Sequence, residues 1–227
     1  MSNSSSAPFV GKRFEGKVVV ITGTGGGMGR AAALRFAAEG AIIAGCDVKV
    51  EGNLETIALV EAAGGRMIGK APVNLTDEAE TAGWLAEVEA ELGHIDVLYA
   101  NAGATKFNRL EDTSLEEWRF VLQHELDIVF LPVKHAWSAL KKSAGNVILV
   151  GSTAGVTGSL TNHRIAHTAT KGGVVAMTKQ LAAEGAEFGI RVNCISPGMV
   201  RTPATESDLL AEGSAMIGIA NHIPLKR

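Results

Sequence analysis

Four consecutive β-branched residues, Val18-Val-Val-Ile21, run straight into Thr22-Gly-Thr-Gly-Gly-Gly-Met-Gly29, and a helical period takes over at once. Five of the seven residues from 23 to 29 are glycine. Such a segment has to turn sharply after a strand, bring backbone close to a ligand and pack a helix tightly on the strand, and each step favours a residue without Cβ. Gly23, Gly27 and Gly29 are placed for these tasks, with Met28 opening the helix. The unpaired N–H groups of the first helical turn and the positive end of its dipole then face the turn, which suits a phosphate. Glycine is frequent overall, at 27 of 227 residues, but with no Gly-X-Y period and only 6 prolines, so neither collagen nor Pro/Gly-rich disorder explains it.

The remaining chain alternates. Apolar runs at Ala41–Cys46, Ile95–Tyr99, Asn146–Val150 and Ile190–Ile195 predict strands buried on both faces. Between them, helical periods cover Met28–Glu39, Leu54–Ala63, Asp77–Leu92, Ser114–Leu140 with a break near His124, and His167–Phe188. Thr76-Asp-Glu and Ser114-Leu-Glu-Glu117 supply N-caps, the second as a reciprocal capping box. This order predicts a doubly wound parallel sheet, a Rossmann-like α/β fold in three α/β/α layers, in one domain over 15–227 after a loose polar arm at 1–14.

Composition removes several function classes. With 46% apolar residues the chain can build a sizeable core, and its net charge of −3 comes from interleaved signs, so no basic stripe suits nucleic acid or an anionic membrane. No apolar run approaches 18 residues, and Met1–Pro8 has neither the basic start nor the apolar stretch of a signal peptide. The 2 cysteines, Cys46 and Cys194, each end a strand-like run, which fits small buried side chains in a reducing, cytoplasmic compartment.

Asp47 ends the second strand 24 residues beyond Gly23, where an acidic side chain accepts from the ribose hydroxyls of an adenosine and repels a 2′-phosphate. Gly26 and Val48, flanking that position, bring no cation, and Lys49 is the one nearby candidate. The charge logic favours NAD(H) over NADP(H).

At this point the order of motifs resembles the short-chain dehydrogenase/reductase family, over nearly the whole chain from Lys17 to Arg227. Residues 22–29 are similar to its TGxxxGxG turn. Ala100-Asn101-Ala102-Gly103 is similar to its NNAG segment beside the adenosine, with Ala100 replacing the first Asn, and Asn74-Leu75 is similar, with a substitution, to the Asp-Val pair that touches the adenine. Asn193-Cys-Ile-Ser-Pro197-Gly198-Met-Val200-Arg-Thr202 is similar to the segment that holds the nicotinamide carboxamide. The resemblance stops near Ile223–Arg227, and it implies a domain lacking the family's usual last helix and strand. It also implies a homodimer or homotetramer built on helices 125–142 and 167–188.

In that family a Ser, a Tyr and a Lys four residues after the Tyr carry the chemistry, helped by an Asn. Ser152 and Lys171 match the serine and the lysine; the Tyr position is His167 and the Asn position is Glu125. The only tyrosine, Tyr99, lies in the fourth strand. An imidazole titrates near neutrality and Lys171 and the nicotinamide disfavour its cation, so the site would take a proton from an alcohol more readily than give one to a ketone. Glu125 would either pair with Lys171 or orient His167. His163 and His167 stand at i, i+4 spacing, but no third ligand accompanies them and no metal is expected. Lys106, Arg109, His163 and Arg164 lie in the loops that would shape a substrate pocket and read as solvated surface charge. The expected activity is NAD-dependent hydride transfer between a small secondary alcohol and its ketone. The rival reading is a nucleotide-binding protein with a silenced site, and an epimerase or lyase on the same fold has no motif of its own here.

Overall fold

The computed structural model describes residues 11–159 and 163–206. Six parallel strands, β1 (Val18–Thr22), β2 (Ile42–Cys46), β3 (Arg66–Lys70), β4 (Val97–Ala100), β5 (Asn146–Val150) and β6 (Arg191–Ile195), lie in the order β3-β2-β1-β4-β5-β6. Val20 of β1 stands level with Ala44 of β2 and Leu98 of β4. All five residues of β1 are buried, because the central strand is covered on both faces; this is why its sequence is a continuous apolar run with no alternation.

The helices are α1 (Gly27–Ala38), α2 (Val50–Ala62), α3 (Glu78–Leu92), α4 (Leu115–Leu122), α5 (Ile128–Ser143) and α6 (Ile165–Gly185). On one face Val19, Ile21 and Ile43 pack with Ala33 and Ala37 of α1 and Val60 of α2. On the other, Val20, Leu98 and Leu149 pack with Trp84 and Val88 of α3, Val133, Ala136 and Leu140 of α5, and Val174 of α6. The expected three-layer fold is therefore present. Its winding reverses between β1 and β4, and in open α/β sheets ligands bind in the crevice at the carboxyl ends of strands where the order reverses.

Four expectations need correction. β3 reads as no apolar run, since Arg66 and Lys70 are polar and only Met67 is buried in this edge strand. Residues 13 and 14 are not a loose arm: the Arg13 guanidinium donates to both Glu39 oxygens at 3.0 and 2.7 Å, and the Phe14 ring meets Phe36 edge-on at 4.9 Å. The Ser114 cap is one-sided, its hydroxyl accepting from the Glu117 N–H at 3.0 Å, while the Glu117 carboxylate turns to Asn108. Cys46 is buried as expected, but Cys194 is only half-buried. The break near His124 is a π-helical turn, Gln123–Asp127, between α4 and α5. Residues 1–10 of the expected arm and the expected chain end at 223–227 lie outside the described residues.

Candidate active site

The Gly-rich turn closes at the carboxyl end of β1. A Cβ on Gly29 would stand 2.0 Å from the Gly23 carbonyl oxygen, so α1 starts in direct contact with the turn, as only glycine allows. Gly23 and Gly27 have φ of 76° and 52°, in the left-handed region. Gly26 caps α1 with no side chain, and a Cβ there would meet nothing within 4 Å, so the space beside the cap position is open. The carbonyls of the turn are tied from behind: Thr56 Oγ1 donates to the Thr24 oxygen at 2.6 Å, and Arg30 Nη2 to the Gly25 oxygen at 3.1 Å. Carbonyls held in this way do not point at an incoming anion. Thr24, Arg30 and Thr56 are absent from the expected site, because the bonds that recruit them span from 5 to 32 residues.

Asp47 leans over the same turn. Its carboxylate accepts the Gly25 N–H at 2.6 Å and the Lys49 N–H at 2.8 Å, and a Cβ on Gly25 would fall 2.7 Å from its carboxylate carbon. It forms no ion pair among the described residues; Lys49 contributes backbone only, and Arg30 turns its guanidinium to Glu55. Val48 beside it is 59% exposed. Met28 is half-buried against the α1–α2 side of the core.

Asn101 joins β4 to the turn, its backbone N–H donating to Thr22 Oγ1 at 2.9 Å and its side-chain amide to the Thr22 oxygen at 3.0 Å. Its Oδ1 is buried with no partner, an acceptor left for a donor. Ala102 packs against Gly23, and Gly103 is exposed. The Asn74 carboxamide oxygen is occupied by Thr76, and the Leu75 side chain is buried in the core, so from Leu75 only backbone is left for an adenine. The segment after β6 is held by Pro197, whose oxygen accepts the Thr153 N–H at 3.0 Å. Gly198 and Val200 lie at the surface, and Thr202 reaches the turn, its Cγ2 3.4 Å from where a Gly27 Cβ would be.

At the other end of the crevice stands a second cluster. The π-helical turn carries Glu125 inward, to 3% exposure. Its two oxygens lie 2.7 and 2.9 Å from His167 Nδ1, and Thr170 Oγ1 donates to Oε2 at 2.6 Å. A carboxylate only accepts, so Nδ1 carries a proton, and in the neutral imidazole Nε2 is then the acceptor. Lys171 Nζ donates to the Val150 oxygen at 3.0 Å and forms an ion pair with Glu125 at 4.0 Å, so both expected pairings occur, but only the one with His167 is a direct hydrogen bond. Burial pushes the Lys171 pKa below its ordinary value, partly offset by Glu125 and Cys194. A Cβ on Gly155 would meet the Lys171 backbone at 2.6 Å, so that glycine lets α6 lie close against the turn carrying Ser152. The half-buried Ser152 accepts the Ala154 N–H at 3.1 Å. Phe107 meets the His167 ring edge-on at 5.4 Å. Among the described residues no three His, Cys, Asp or Glu side chains converge as a metal-binding group.

The chain as a whole is similar to known proteins. The family model for short chain dehydrogenases matches residues 17–212. L-fucose dehydrogenase of Rattus norvegicus is 35% identical over 199 residues, 84% of this chain and 68% of that protein. The 3-oxoacyl-(acyl-carrier-protein) reductase of Escherichia coli is 35% identical over 195 residues, 86% of this chain and 78% of that one. Among solved structures, NAD+-bound xylitol dehydrogenase superposes with a TM-score of 0.88 at 29% identity, covering 95% of this chain and 88% of that one.

Proposed function

Since the chain belongs to the short-chain dehydrogenase family, we propose that it is an NAD(H)-dependent oxidoreductase that converts a small secondary alcohol to a ketone with His167 as the general base. The observation that carries this reading is the buried bond between Glu125 and His167 Nδ1, four residues before Lys171. It leaves Nε2 of His167 as an acceptor at the position where the family's tyrosine handles the substrate proton.

When bound, the nicotinamide supplies the acceptor for the hydride leaving the carbinol carbon. The residues do the rest. The Ser152 hydroxyl donates to the alcohol oxygen and orients it, His167 Nε2 takes the hydroxyl proton, and the Glu125 carboxylate stabilises the imidazolium that forms. The buried Lys171 amine, its pKa lowered by burial and raised in part by Glu125, stands beside the site. The open space at the Gly26 cap of α1 and the orphaned Asn101 Oδ1 support a dinucleotide, and the Asp47 carboxylate with no cation beside it supports NAD(H) over NADP(H). Family membership supports a homodimer or homotetramer, and cysteine usage a cytoplasmic setting. No helix among the described residues is long and apolar enough to cross a membrane.

A second reading, a nucleotide-binding protein without turnover, is favoured by one observation. Ser152 spends its hydroxyl oxygen on the Ala154 N–H, and no hydrogen bond links it to His167. Tyr99 cannot stand in for the missing phenol, because it is buried at 6% exposure among core residues. An absorbance screen of secondary alcohols with NAD+ and NADP+ separates the two readings. The oxidoreductase reading expects NADH formation that His167→Ala abolishes; equal rates in both proteins exclude His167 as the base.

A further inference from the structure

Glu125 has more suitors than it needs. Its carboxylate is 3% exposed, and a buried carboxylate is drawn to the strongest cation in reach. That cation is Lys171, whose Nζ is 4.0 Å from Oε1, an ion pair at the edge of contact and beyond hydrogen-bond reach. Yet both oxygens face His167 Nδ1. What opposes a rotation toward Lys171 is the Thr170 hydroxyl, which donates to Oε2 at 2.6 Å. Thr170 is itself fully buried, and its Oγ1 also lies 2.9 Å from the His167 carbonyl oxygen, so the hydroxyl is fixed within its own helical turn. Its single proton goes to the nearer, charged acceptor. Positions 167, 170 and 171 share one face of α6 at i, i+3 and i+4 spacing, which brings all three groups to one carboxylate.

We propose that Thr170 is a positioning residue that holds Glu125 to His167 and out of hydrogen-bond contact with Lys171, and thereby fixes the His167 tautomer with Nε2 as the acceptor; the catalytic consequence rests on the reading of His167 as the base. Without the hydroxyl, the carboxylate turns toward Lys171, Nδ1 loses its acceptor, and the imidazole is free to carry its proton on Nε2. That tautomer presents a donor where the reaction needs a lone pair.

The test compares Thr170→Val, which keeps the shape and loses the hydroxyl, with Thr170→Ser, which keeps the hydroxyl. Side-chain nitrogen NMR of 15N-histidine-labelled protein with NAD+ bound, assigned with His167→Ala, reads the tautomer directly. The Nδ1–H form should dominate in the wild type and in Thr170→Ser and give way to the Nε2–H form in Thr170→Val. The kcat for alcohol oxidation should fall about 10- to 100-fold in Thr170→Val, with KM for NAD+ within about twofold, and Thr170→Ser should retain most of the rate. An unchanged tautomer in Thr170→Val overturns the proposal, as does an equal loss in Thr170→Ser. A wild type that oxidises no alcohol contradicts the oxidoreductase reading instead, and the tautomer comparison still decides the role of Thr170.

Discussion

Replacing Glu125 by Gln removes a charge and almost nothing else. The amide oxygen can still accept from His167 Nδ1, and the amide nitrogen can donate to Thr170 Oγ1, which then accepts instead of donating. The bonds of 2.7 and 2.6 Å have counterparts in the variant. What is lost is the attraction between a carboxylate and the imidazolium that forms as the alcohol proton arrives. Two unit charges about 4 Å apart interact by about 4 kcal/mol at an effective dielectric constant near 20, which is an upper bound. Measured hydrogen bonds to charged groups contribute about 1.5–3 kcal/mol, so kcat should fall about 10- to 150-fold. The cofactor site is made of other residues, so NADH affinity should stay within about twofold by calorimetric titration, and the loss should sit in kcat and kcat/KM together. The same substitution removes the group that holds the Lys171 pKa up against burial, so that pKa should fall further. A Glu125→Gln enzyme with kcat within about twofold of the wild type would refute the assignment of the carboxylate to the developing imidazolium.

Three further outcomes are expected. NADH should bind at least about tenfold tighter than NADPH, about 1.4 kcal/mol, because Asp47 meets a 2′-phosphate with no cation beside it; calorimetry showing equal affinities would dismiss that role. Gly29→Ala should weaken NADH binding and lower Tm together, since its Cβ would fall 2.0 Å from the Gly23 oxygen, and a variant matching the wild type in both measurements would show the turn to be more compliant than the geometry implies. The Arg13 hydrogen bonds, with Arg35 adding to them, hold the Glu39 pKa below its ordinary 4.5. A carboxyl depressed in the folded state contributes stability that is full above 4.5 and is lost as pH falls through the folded value, so Glu39→Gln should lower Tm at neutral pH and shrink the gap between neutral and acid Tm; an unchanged gap removes this pair from the acid response.

The sheet could be read because its inner strands are covered on both faces, which leaves unbroken apolar runs at 18–21 and 147–150. β3 escaped because an edge strand needs only one buried position, here Met67. The glycine-rich turn was legible from its glycines, whose steric reasons are local, while the Thr56 bond behind it joins segments 32 residues apart and leaves no periodic mark. Glu125 and His167 were found as departures from a family pattern, and only the folded chain shows which of two partners the carboxylate takes. Thr170 gave no signal at all, since a threonine inside a helix is unremarkable until its hydroxyl is seen on a buried carboxylate. Leu75 sat in a motif position and in the core at once, and packing claims its side chain.

Hydride transfer is the central functional claim, and isotopic labelling follows it atom by atom. Secondary alcohols carrying deuterium on the carbinol carbon, incubated with the protein and NAD+, should yield reduced nicotinamide with one deuterium in place of a hydrogen, and His167→Ala should suppress that product while still binding NADH. Wild-type protein that binds NADH through the turn at Gly23–Gly29 yet passes no label from any alcohol of the panel would contradict the account.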